Sequence, residues 1–163
     1  MHLSSKVEVD WLALKMKPAG QGNEEWTDRT KPLPYTEREL LAMCSLLDRS
    51  WFEKLWIRQE IRLGGRNAIV LCGSHVIPWQ SFQKAIFCLR NKIKKKEFLG
   101  SKTLSFHQLI ELIFELSDDA TYIPFGRLIR QIKHCKCSDP RDRIYEVLSI
   151  LDESERNIGI KPD

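Results

Sequence analysis

Arg49-Ser50-Trp51-Phe52-Glu53-Lys54-Leu55-Trp56-Ile57-Arg58-Gln59-Glu60 is the stretch whose reading decides the fold class. Its large apolar residues recur three and four apart, a helical period rather than the two-residue alternation of a strand. Ser50 is placed to cap a helix over Trp51 to Leu63, which Gly64-Gly65 would end. Phe52, Leu55, Trp56, Ile61 and Leu63 are its predicted inward residues. Upstream, Thr36 and Glu39 form a capping box that starts a helix running to Leu47, with Leu40, Leu41, Cys44 and Leu47 predicted inside. Downstream, the β-branched run from Ala68 to Cys72, the Gly73-Ser74 turn and His75-Val76-Ile77 predict a small hairpin.

Helical spacing returns from Trp79 to about Phe98, with Phe82, Ala85, Ile86 and Leu89 inward. It recurs over Leu104 to Leu116 and from Pro124 to Lys133. A last helix is predicted with Asp139 as N-cap, Pro140 at the first position and Asp142 at the third. Ile144, Tyr145, Val147, Leu148 and Leu151 would pack inward from it. At the N-terminus, Val7, Trp11, Leu12 and Leu14 are predicted to line one helix face. Residues 18–34, rich in proline and glycine, read as a long surface loop. The predicted fold class is mainly α with one small β-hairpin.

The chain has 163 residues, 42% hydrophobic and 29% charged, which excludes collagen-like, low-complexity and wholly disordered classes. No apolar run reaches the ~18 residues of a membrane span, and no secretory signal opens the chain. A soluble cytoplasmic protein is therefore expected. The net charge of +4 is local. Residues 84–102 hold seven basic residues and one acid, leaving 19 basic against 21 acidic residues elsewhere. Such a run predicts a solvated helix end and loop rather than a nucleic-acid surface, which would need several basic patches with interleaved aromatics. The five cysteines, Cys44, Cys72, Cys88, Cys135 and Cys137, are irregularly spaced. Cys135-Lys136-Cys137 beside His134 has no second pair to complete a zinc tetrad, so reduced thiols and no metal are expected.

Nucleotide-binding glycine loops, the nucleophile elbow and the zinc-protease helix motif are all missing from the sequence. Two stretches can carry chemistry. In the first, Trp56 and Glu60 are four apart and share a helix face. A carboxylate beside a large aromatic is suited to acid–base or cation-stabilising work if water is kept away. The competing reading is an ion pair of Glu60 with Arg49, Arg58 or Arg62. In the second, Asp139 would cap a helix and pair with Arg143 one turn on.

Taken together, Arg49–Glu60, the Leu71-Cys-Gly-Ser-His-Val-Ile-Pro-Trp79 hairpin and Asp139-Pro-Arg-Asp-Arg-Ile-Tyr-Glu-Val-Leu-Ser-Ile-Leu151, in this order, resemble the fungal heterokaryon-incompatibility (HET) domain family. Lys54, Glu146 and Ser149 replace that pattern's usual Arg, Ala and Gly. The family's opening motifs are missing. The resemblance therefore implies that residues 36–163 are the helical later portion of a TIR-like α/β domain, without its first half, and that residues 1–35 are a variable segment and loop. It also implies a role in non-self recognition and programmed cell death, with a protein partner or self-association. Some TIR domains cleave NAD with a Glu in a Trp-Cys-x-x-Glu helix, and Trp56-Ile57-Arg58-Gln59-Glu60 has that spacing with Ile57 in place of Cys. The analogy makes Glu60 the catalytic candidate and NAD a substrate rather than a tightly bound cofactor. The alternative it leaves is a non-catalytic interaction module.

Overall fold

The computed structural model describes residues 2–92, 125–133 and 135–151. A short helix α1 (His2–Lys6) leads into an antiparallel hairpin of β1 (Val7–Asp10) and β2 (Lys15–Pro18). Helix α2 (Glu37–Leu47) and a 3-10 turn (Ser50–Glu53) precede α3 (Trp56–Gly64). A second hairpin, β3 (Ile69–Cys72) with β4 (His75–Pro78), feeds α4 (Trp79–Lys92). Helices α5 (Phe125–Ile132) and α6 (Asp142–Ile150) complete the described residues. The predicted helix over residues 104–116 and the stretch beyond Lys92 lie outside them.

The sheet content is a correction. Among the described residues there are two small two-stranded sheets, not one. Residues 3–16 were expected to present one helix face, but Val7-Glu8-Val9-Asp10 and Lys15-Met16-Lys17 alternate apolar with charged, the strand period. Val7 and Met16 point to the core while Glu8 and Lys17 face solvent. Leu12 and Leu14, expected inward, stand on the exposed hairpin tip. The tip is closed by Asp10 Oδ1, which accepts the Ala13 N–H at 2.9 Å. Leu14 takes a left-handed φ of 51°, which non-glycine residues seldom adopt.

Other local signals are realised as read. The Thr36 N–H donates to Glu39 Oε2 at 2.7 Å and the Glu39 N–H to Thr36 Oγ1 at 3.3 Å, the reciprocal pair of a capping box. The Thr36 N–H and the Thr36 hydroxyl, both donating to Glu39 Oε2, hold the Glu39 carboxyl below its ordinary range. The stabilisation they give is present above the unfolded value and lost as pH falls through the lower folded one. Gly73 takes φ 60° in the β3–β4 turn, and Gly65, at φ 50°, ends α3.

Two apolar clusters form. The larger joins Val7, Leu33, Leu47, Phe52, Ile57, Ile61, Val70, Trp79, Phe82 and Ile86, with Phe52 stacked on Phe82 at 5.7 Å. The smaller joins Leu55, Leu128, Ile132, Val147 and Leu151. Leu55 and Ile57 are two residues apart yet belong to different clusters, so the start of α3 is the wall between them. That position explains why no single helix runs from Trp51 to Leu63. Glu53 O accepts the Lys136 N–H at 2.7 Å, and the Leu55 N–H donates to Lys136 O at 3.2 Å. This parallel bridge takes main-chain groups away from helix continuation. The chain is extended at Lys54, and α3 begins at Trp56 without a side-chain cap from Ser50 or any other residue.

Residues 18–34 run largely over the surface as irregular chain with one 3-10 turn (Glu24–Trp26), as read, but they are tied down. Leu33 is buried, and Trp26 packs edge-on against Tyr35. Lys92, expected in a solvated basic run, is 7% exposed and donates from Nζ to Glu25 O and Asp28 O, both at 2.6 Å. Arg29 Nη2 donates to Asn91 Oδ1 at 2.7 Å, and Cys88 Sγ reaches Trp26 O at 3.7 Å. Three polar side chains from the last turn of α4 thus strap the segment down. Leu41, Leu63 and Ile144, expected inward, are exposed instead.

Candidate functional site

The Trp56–Glu60 pair is positioned by α3. Ile57 and Ile61 turn into the larger cluster, and Gln59 Nε2 donates to Ser149 Oγ of α6 at 2.9 Å. Those anchors leave Trp56 and Glu60 on the outer face, with Trp56 39% exposed and Glu60 exposed beside it. Lys54 Nζ lies over the Trp56 ring, 5.2 Å from its centroid, a cation–π contact. Among the described residues, the Glu60 carboxylate forms no hydrogen bond or ion pair, so it is not locked to Arg49, Arg58 or Arg62. Arg58 is 4% exposed and turned inward, a placement that its periodicity alone did not reveal.

Glu60 therefore has no internal structural role in view, and water reaches it. A water-facing carboxylate is screened, so stabilising a developing positive charge requires a surface that closes over Trp56 and Glu60.

The second stretch is wired differently from its expectation. Asp139 pairs with Arg141 rather than Arg143: Nη2 to Oδ2 is 2.8 Å and Nε contacts both carboxylate oxygens at 3.1 and 3.2 Å. The hydrogen bonds from the Arg141 side chain and N–H hold the Asp139 carboxyl below its usual range. Asp139 Oδ1 also accepts the Arg141 N–H at 2.8 Å, so it closes a turn rather than capping a helix, and α6 starts at Asp142. Arg143 instead reaches back, donating from Nε to Cys137 Sγ at 3.2 Å and from Nη2 to Cys135 O at 3.3 Å. This fastens the bridge segment against α6.

No group of three or more metal-binding side chains occurs among the described residues. Cys72, Cys88, Cys135 and Cys137 are free thiols. Burial pushes the Cys88 thiol up to about 11, against which nearby Lys92 acts weakly. Stability is thus expected to fall as pH rises from the ordinary thiol value through about 11. At pH 8, iodoacetamide should label Cys72, Cys135 and Cys137 of the native protein well before Cys88. Equal native rates by peptide mass mapping, without prior unfolding, would contradict the burial of Cys88.

No helix among the described residues is long and apolar enough to cross a membrane. Comparison with known proteins finds no matching family model, no similar curated protein and no similar solved structure, so the resemblance to HET domains rests on the three motif stretches themselves.

Proposed function

We propose that this chain is part of a fungal non-self-recognition protein of the heterokaryon-incompatibility type, acting in regulated cell death, and that the outer face of α3 is its working surface. One observation carries the reading: the three motif stretches meet on α3. The first supplies its opening turn, Trp56 to Glu60. The second shares the larger apolar cluster with it, Trp79 joining Ile57 and Ile61 there. The third donates Ser149 as the partner of Gln59. That packing uses the inner residues and presents Trp56 and Glu60 outward, with Glu60 free of any internal partner among the described residues.

In this reading Glu60 stabilises the ribosyl oxocarbenium as nicotinamide leaves NAD, once a further surface covers the site. The complete gene product carrying Glu60→Ala is expected to lose toxicity on expression, with NAD consumption lower by on the order of 100-fold. Unchanged toxicity and NAD turnover would sink the catalytic role.

A second reading, a non-catalytic interaction module, is favoured by a different observation. Leu71 and Val76 face each other across the β3–β4 hairpin, with Ile69 on the same outer face, and all three are exposed, Leu71 at 67%. Leu71→Asp abolishing toxicity while Glu60→Ala leaves it intact would select that reading.

A further inference from the structure

We propose that Cys137 is a peroxide-reactive thiol, with Arg143 as its activating cation and Cys135 as its resolving partner. This goes beyond the reading of Glu60 and does not depend on it. Cys137 is half-buried, and Arg143 Nε donates to its Sγ at 3.2 Å. Arg143 is half-buried too and has no carboxylate partner among the described residues, because Asp139, four residues before it, is taken by Arg141. Its Nη2 donates to Cys135 O at 3.3 Å, and its other N–H groups have no partner among the described residues. A half-buried cation without a carboxylate calls for negative charge, and the side-chain atom it touches is sulfur. Negative charge that builds on this sulfur, or on an oxygen leaving it, meets donors already in place. Cys72 is also half-buried but carries no such contact among the described residues, so exposure alone does not single out Cys137.

The Cys137 sulfur attacks one oxygen of hydrogen peroxide. The S–O bond forms as the O–O bond breaks, the departing oxygen leaves as water with the thiol proton, and Cys137 becomes the sulfenic acid. The Cys135 sulfur then attacks the Cys137 sulfur. An S–S bond forms, the S–O bond breaks, and the hydroxyl leaves as a second water with the Cys135 proton. Both thiols are oxidised and the peroxide is reduced to water. The residue between them gives the reaction a structural consequence. Lys136 is the parallel bridge residue, its N–H donating to Glu53 O and its carbonyl accepting the Leu55 N–H. A bridge residue is extended, and extended chain places the Cα atoms on either side of it about 7 Å apart, the limit that a disulfide can span. Closing the ring therefore bends the chain at Lys136 and pulls it off Glu53 and Leu55, the contacts that precede α3.

The test exposes the reduced full chain to hydrogen peroxide, with dimedone to trap sulfenic acid, and follows each cysteine by tryptic mass mapping. Cys137 is expected to be trapped about tenfold faster than Cys72. Without dimedone, the peptides carrying Cys135 and Cys137 should appear joined, and the Leu55 and Lys136 amides should exchange faster with solvent. Cys135→Ser should leave Cys137 as the sulfenic acid. Arg143→Gln should slow the reaction of Cys137 about tenfold. A mere loosening of the fold by that substitution would instead quicken Cys137 and Cys72 together, so lost activation and lost folding move the rate in opposite directions. Cys137 reacting no faster than Cys72 overturns the proposal. So does an Arg143→Gln variant in which the Cys137 rate is unchanged or raised, or a native chain in which the two peptides never join.

Discussion

Leu55→Ala is expected to destabilise the protein by about 2–5 kcal/mol, the range for truncating a buried leucine. Leu55 is 1% exposed and is the only contribution of the chain around α3 to the fully buried members of the smaller cluster. Among the described residues Leu55 packs in one cluster with Leu128, Ile132, Val147 and Leu151, and the void its truncation leaves there adds to the lost burial. The backbone adds to the effect, because the Leu55 N–H to Lys136 O bond is held in place by the side chain on the same residue. Urea unfolding with circular dichroism would measure the loss. Hydrogen exchange should show faster opening in α5 and α6 than in α4. A loss below about 1 kcal/mol would mean that Leu55 is not the wall between the two clusters.

Lys92→Met is expected to cost about 2–4 kcal/mol, because two charge-assisted hydrogen bonds to main-chain carbonyls disappear. Methionine keeps the aliphatic stem and its packing, so the variant reads the ammonium alone. Asp28 O still accepts the Lys31 N–H, whereas Glu25 O has no other partner among the described residues. For a chain of this size the melting temperature should fall by roughly 2–4 °C per kcal/mol. Limited proteolysis should cut first between residues 20 and 31, the strap that Lys92 holds. Wild-type melting and unchanged cleavage would show that the strap is fastened by Leu33 and Trp26 alone.

How much was legible differs by element, and the reason is range. The capping box at Thr36 and Glu39, the Gly73-Ser74 turn and the glycine stop at Gly65 involve groups within three or four residues of each other. Their chemistry is complete in the local sequence. The first hairpin also left a local signal, the alternation in residues 7–10 and 15–17, but Trp11, Leu12 and Leu14 at its tip supplied a competing helical spacing. Exposing two leucines runs against the usual burial preference, so the spacing argument placed them inside.

The candidate site was half legible. The four-residue interval put Trp56 and Glu60 on one face. Which way that face points depends on Ile57, Ile61 and Gln59 finding partners in distant segments. The choice of Arg141 over Arg143 as the partner of Asp139 was settled within a few residues, but not by the i, i+4 interval. Cys137 and the Cys135 carbonyl claim the Arg143 guanidinium, and the shorter-range arginine takes the carboxylate.

By itself, then, the sequence determined the capping box that opens α2, the turn between β3 and β4 and the glycine stop of α3, because capping and glycine conformation act over a few residues. Only the tertiary structure decided that Lys54 breaks a helix, that a lysine in a basic run is buried, and that Arg58 turns inward while Glu60 faces water. Each of those outcomes is a competition for main-chain or charged groups between segments far apart in the chain. Such competition is resolved by packing and desolvation when the segments meet, and neither is written in local spacing.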